Sequence, residues 1–80
     1  RFPQVLINVP NVAKERLSTS HAISDAVAKA ESTLGDAGRV LLRASGTEPL
    51  IRVMIEAEVA SDAQQFAQSL ASLVKSELAL

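Results

Sequence analysis

Arg43 and Arg52 bracket the run Ser45-Gly46-Thr47-Glu48-Pro49 within the stretch RVLLRASGTEPLIRVM. Guanidinium groups, hydroxyls and a glycine held this close together are the parts from which a phosphate seat is made. Arginine's planar fork pairs with two phosphate oxygens at once, where lysine would supply only a point charge. Ser45 and Thr47 offer hydroxyl donors. Gly46 is expected to take the positive φ that turns successive backbone N–H groups inward as an anion nest. Glu48 opposes this chemistry, because a carboxylate beside a bound dianion repels it. It is therefore expected to point away, biased by Pro49 to an extended conformation, and a partner such as Arg52 or an arginine from elsewhere could neutralise it. The plainer alternative is that Ser, Gly, Thr and Pro are ordinary turn residues and the arginines solvated strand residues.

A seat of this kind needs a hairpin beneath it. RVLLRA (39–44) reads as one strand and PLIRVMIEAEV (49–59) as the next, with Ile51, Val53, Ile55, Ala57 and Val59 alternating against Leu50, Arg52, Met54, Glu56 and Glu58. If Leu42 and Ile51 face the core, alternation sends Arg43 and Arg52 together to the opposite face. Upstream, QVLINV (4–9) alternates in the same way, and Pro10 and Asn11 end it. VAKERLST (12–19) has mixed character and reads as a connecting loop. Ser20 can cap a helix whose Ile23, Ala26, Val27, Ala30 and Leu34 share one face, with Gly35 and Gly38 as its stop. Ser61 and Gln64 form a capping-box pattern for a last helix striped by Phe66, Leu70, Leu73, Val74 and Leu78. The predicted fold is α+β: a two-layer sandwich in the order β-α-β-β-α, an antiparallel sheet with both helices on one face.

Composition narrows the possible functions. A chain of 80 residues, 48% of them hydrophobic, makes one small domain that buries about 60% of the surface its unfolded form exposes. With two Phe and no Trp or Tyr, stacking on bases or sugar rings is nearly excluded. A net charge of −1 gives no global attraction to nucleic acid or an acidic membrane, so an anion site must be local. The absence of cysteine removes disulfides and thiolate metal sites and suits a reducing, cytoplasmic setting. No stretch approaches the length of a membrane span. The abrupt entry into a strand at Val5 suggests a fragment of a longer chain.

The segment GRVLLRASGTEPLIRVMIEAE resembles the phosphate-binding segment of the C-terminal domain of the α-D-phosphohexomutases, most closely their bacterial branch acting on glucosamine phosphates. PQVLINV and AISDAVAKAESTLGDAGRVLLR fit the same family, so the resemblance covers nearly the whole chain. It implies that residues 1–80 form the phosphate-binding fourth domain of a longer enzyme, with a TATA-binding-protein-like fold. It also implies that Arg43, Ser45, Gly46, Thr47 and Arg52 contact the phosphate that is not being transferred. In the family, a phosphoserine, a Mg²⁺-holding aspartate loop and a sugar-selecting loop lie in the other three domains, and nothing of that kind occurs in this chain. The implied partners are a hexosamine phosphate and those three domains, with no nucleic acid and no membrane. Catalysis by this chain alone is not expected. Sugar choice lies outside it, so phosphomannomutase and phosphoglucomutase remain open, as does a free-standing module for a phosphorylated ligand.

Other residues invite blander readings. His21 reads as a solvated first-turn residue, and Lys14, Glu15 and Arg16 as a solvated charge run. Leu6, Leu41, Leu50 and Met54 fall on the sheet face away from the helices, an apolar patch for a neighbouring domain to cover.

Overall fold

The computed structural model describes residues 2–80. Strand β1 (Gln4–Pro10) leads through a 3-10 segment (Lys14–Thr19) into helix α1 (His21–Leu34). Strands β2 (Gly38–Ala44) and β3 (Leu50–Ala57) follow, and helix α2 (Ala60–Leu78) completes the order. The sheet runs β1-β3-β2, with both pairings antiparallel. The hairpin therefore delivers β3 into the gap between β1 and β2, which α1 connects from above.

The central position explains the composition of β3. Ile51, Val53, Ile55 and Ala57 are buried against the helices together with Val9 of β1. Against them pack Ile23, Ala30 and Leu34 of α1 and Ala63, Ala67, Leu70, Val74 and Leu78 of α2. Burying each of the larger aliphatic side chains contributes about 1.5–3 kcal/mol, and no buried side-chain polar atom lacks a partner among the described residues. Met54 points the other way, yet it too is buried, because it shares a rung with Leu6 and Leu41.

Helix α1 begins as the sequence predicts: the Ser20 Oγ accepts from the Ile23 N–H at 3.3 Å. Gly35 ends it at φ 52°, its N–H donating to the Glu31 carbonyl. Gly38 serves a different purpose from a helix stop. A Cβ there would lie 2.2 Å from the Glu56 carbonyl oxygen, so the glycine lets β2 close against β3.

Three expectations are corrected. Helix α2 starts at Ala60 with Val59 as its cap, so Ser61 lies inside the first turn and the capping box does not form; instead the Val59 carbonyl accepts from Asp62 and Ala63. Residues 12–19 are not a plain loop, since Val12 and Ala13 are buried and a 3-10 segment follows. The third strand stops at Ala57, where the chain turns toward α2.

Candidate functional site

Strand register decides which side chains meet at the hairpin tip. Arg43 and Arg52 are direct cross-strand partners, and Asn8 is the partner of Arg52 on its other side. Asn8, Arg52 and Arg43 thus form one rung across the sheet on the face away from the helices, and all three are exposed. Arg52 Nε–H donates to Asn8 Oδ1 at 3.1 Å. Neither arginine has an ion-pair partner among the described residues.

Above this rung the loop between β2 and β3 folds over an open hollow of about 360 Å³, lined by Asn8, Arg43, Ala44, Ser45, Gly46, Glu48, Leu50 and Arg52. The loop is closed by the Ser45 N–H donating to the Leu50 carbonyl at 2.8 Å, and by the Leu50 N–H donating to the Glu48 carbonyl at 2.8 Å. The Ser45 Oγ accepts from the Thr47 and Glu48 N–H groups, each at 3.3 Å. Engaged in this way as an acceptor, the hydroxyl keeps its own hydrogen to donate.

Two features behind the loop hold it in place. The Lys14 ammonium, partly buried, donates to the Ser45 carbonyl, and the Val12 N–H donates to the Pro49 carbonyl at 3.2 Å. Lys14 was read from sequence as a solvated residue; the structure places it under the tip.

Of the residues singled out by sequence, Arg43, Ser45, Gly46 and Arg52 meet at the hollow, while Thr47 is outside its lining. Gly46 is not in the left-handed region, which among the described residues only Asn11 and Gly35 occupy. The Thr47 and Glu48 amides are turned to Ser45, so the expected nest of free N–H groups is absent. Glu48 is a lining residue and has no ion-pair partner among the described residues. Neither Arg52, which bonds to Asn8, nor another arginine among the described residues neutralises it. Asn8 was missed. Its outward position in β1 was legible, but its place beside Arg52 follows only from the strand order.

The hollow gathers donors: two arginine forks, a serine hydroxyl and a neutral amide, against one carboxylate. Its charge is positive in a chain of net charge −1. A small oxyanion with several acceptor oxygens is the ligand that such a set recognises. No group of three or more His, Asp or Glu side chains able to hold a metal ion occurs among the described residues. No helix there is long and apolar enough to cross a membrane.

Residues 6–73 match the family model of the phosphoglucomutase/phosphomannomutase C-terminal domain. The chain belongs to this family. It is a C-terminal domain of the α-D-phosphohexomutase superfamily, from a phosphoglucosamine-mutase-like protein. It is 58% identical over 80 residues to the phosphoglucosamine mutase of Bifidobacterium longum, covering 100% of this chain and 17% of that protein. It is 55% identical over 80 residues to the phosphoglucosamine mutase of Thermobifida fusca, covering 100% of this chain and 18% of that protein. The chain thus spans less than a fifth of the length of these relatives. Among solved structures, N-acetylphosphoglucosamine mutase of Aspergillus fumigatus superposes with a TM-score of 0.83 at 26% identity, covering 100% of this chain and 16% of that one. The same enzyme in complex with GlcNAc-6P and magnesium gives 0.77 at 27% identity, covering 94% and 16%. The mutase C-terminal domain is therefore the fold found here.

Proposed function

We propose that residues 1–80 are the phosphate-binding fourth domain of a phosphoglucosamine mutase, and that the hollow at the β2–β3 tip holds the phosphate of the hexosamine phosphate that is not being transferred. The supporting observation is the direct pairing of Arg43 with Arg52. Like charges facing each other across two strands are destabilising, and nothing in the packing of the fold requires them. An oxyanion seated over both relieves that repulsion.

On this reading Arg43 offers its whole fork, Arg52 its outer N–H groups, and Ser45 and Gly46 a hydroxyl and an amide. Thr47 joins when the loop closes on the ligand, exchanging its long bond to Ser45 for one to phosphate. These groups read the phosphate and not the sugar behind it. That indifference suits an enzyme that must accept its bisphosphorylated intermediate in either orientation while it interconverts glucosamine 6-phosphate and glucosamine 1-phosphate. The transferring serine and the Mg²⁺-binding carboxylates belong to the rest of the polypeptide. Mg²⁺ is not held by this domain, and the partners are the substrate and the three other domains of a cytoplasmic enzyme.

By itself the hollow binds weakly. Each charged hydrogen bond contributes about 1.5–3 kcal/mol, and association costs roughly 4–15 kcal/mol. In the intact enzyme the same contacts anchor the far end of the substrate and orient the reacting end. The test is a titration of the chain with glucosamine 6-phosphate followed by NMR. Millimolar or weaker binding with shifts at Arg43, Ser45, Gly46 and Arg52 is expected, lost in Arg43→Ala. Shifts elsewhere, or unaltered binding by Arg43→Ala, would refute the site.

A further inference from the structure

The geometry points to Asn8 as a positioning residue that holds the Arg52 guanidinium toward the hollow without neutralising it, an inference that rests on the phosphate reading above.

Arg52 is held from one side only. Its Nε–H donates to Asn8 Oδ1, and because Nε can only donate, the amide oxygen of Asn8 must be the atom that faces it. That bond removes the Nε edge of the fork from ligand binding and leaves the outer edge, between the two terminal nitrogens, to meet an anion. Arg43 makes no side-chain hydrogen bond among the described residues, so both edges of its fork stay available. The two arginines thus present different edges to one hollow, and Asn8 sets the difference.

A second rung of the same sheet face, with the acceptor on the central strand and the arginine on β2, shows an arginine paired with a carboxylate and not an amide. Two rungs along, Gln4, Glu56 and Arg39 are cross-strand partners, and Glu56 pairs with Arg39 at 2.9 Å. There the arginine faces an opposite charge. In the rung of Asn8, Arg52 and Arg43 the acceptor is an amide, so Arg52 is oriented while its charge stays available.

Steady-state kinetics of the intact mutase carrying this domain test the assignment, with thermal melts confirming that the exposed Asn8 position tolerates substitution. Asn8→Ala should raise KM for the hexosamine phosphate about tenfold. Asn8→Asp keeps the acceptor for Nε but adds a negative charge, and it should raise KM further. A purely structural role would make Asp the milder change, so Asp at or below Ala overturns the inference. Asn8→Ala placed on Arg52→Ala should add nothing, since the residue acts through that arginine; multiplicative effects would overturn it as well. Arg43→Ala separates the two readings. If it raises KM while the Asn8 variants behave as wild type, the Asn8 inference fails alone; if it leaves KM unchanged, the phosphate site itself fails.

Discussion

Lys14 reaches from the 3-10 segment after β1 to the backbone carbonyl of Ser45, so a charge 31 residues upstream in sequence props the tip of the β2–β3 hairpin. A hydrogen bond from a charged donor contributes about 1.5–3 kcal/mol, and partial exposure reduces that. Lys14→Met, which keeps the aliphatic stem, should lower stability by about 1 kcal/mol in urea unfolding. It should weaken phosphosugar binding by more than this stability loss would suggest, because the loop loses its support. Unchanged affinity at reduced stability would confine Lys14 to the fold.

Gly46 separates loop chemistry from folding. A Cβ at this position meets no atom within 4 Å, and its φ is not in the left-handed region. Gly46→Ala should therefore leave stability unchanged or raise it by about 0.4–1 kcal/mol, through a less disordered unfolded chain. The methyl group would crowd the hollow that Gly46 lines, and sugar-phosphate turnover in the intact enzyme should fall several-fold. Full turnover would show that the ligand does not approach the Gly46 backbone.

Gly38 has the opposite profile. Its missing Cβ would meet the Glu56 carbonyl at 2.2 Å, and that backbone atom cannot swing aside. Gly38→Ala should cost about 1–3 kcal/mol by overpacking, visible as a lower melting temperature. A melt that matches the parent would mean that β2 and β3 separate there freely.

Leu6 and Leu41 are 54% and 42% exposed, either side of the buried Met54, and with Arg43 and Arg52 they line a shallow second depression. Such an apolar band favours self-association. Size-exclusion chromatography of the 80-residue chain should show a concentration-dependent shift that Leu6→Lys with Leu41→Lys abolishes. Strictly monomeric elution of the parent chain would count against it.

Much of the architecture was legible in the residues. Ile51, Val53 and Ile55 alternate so regularly that the core face of β3, and with it the outward placement of Arg52, followed from period two alone. Ser20 and Gly35 marked the ends of α1 because each has a specific local duty. Ser61 misled, since a capping box needs its serine at the cap position, and the helix begins at Ala60 with Val59 there, which leaves Ser61 inside the first turn. The packing contributions of Ala63 and Ala67 were also illegible, as small residues carry little hydropathic signal and become core only where a strand lies close. For the site, both arginines were readable from the hairpin. Asn8 and Lys14 were not, because each joins the loop through strand order or a turn linking segments distant in sequence.

The short span after β1 is sewn on two sides. Ala13 N–H donates to the Leu78 carbonyl at 2.8 Å, Leu80 N–H to the Asn11 carbonyl at 3.1 Å, and Val12 N–H to the Pro49 carbonyl. The tail of α2 is in this way tied by backbone hydrogen bonds to the same span that holds the β2–β3 loop. Removing residues 78–80 would take away two of these three bonds and should loosen the β2–β3 loop some thirty positions earlier.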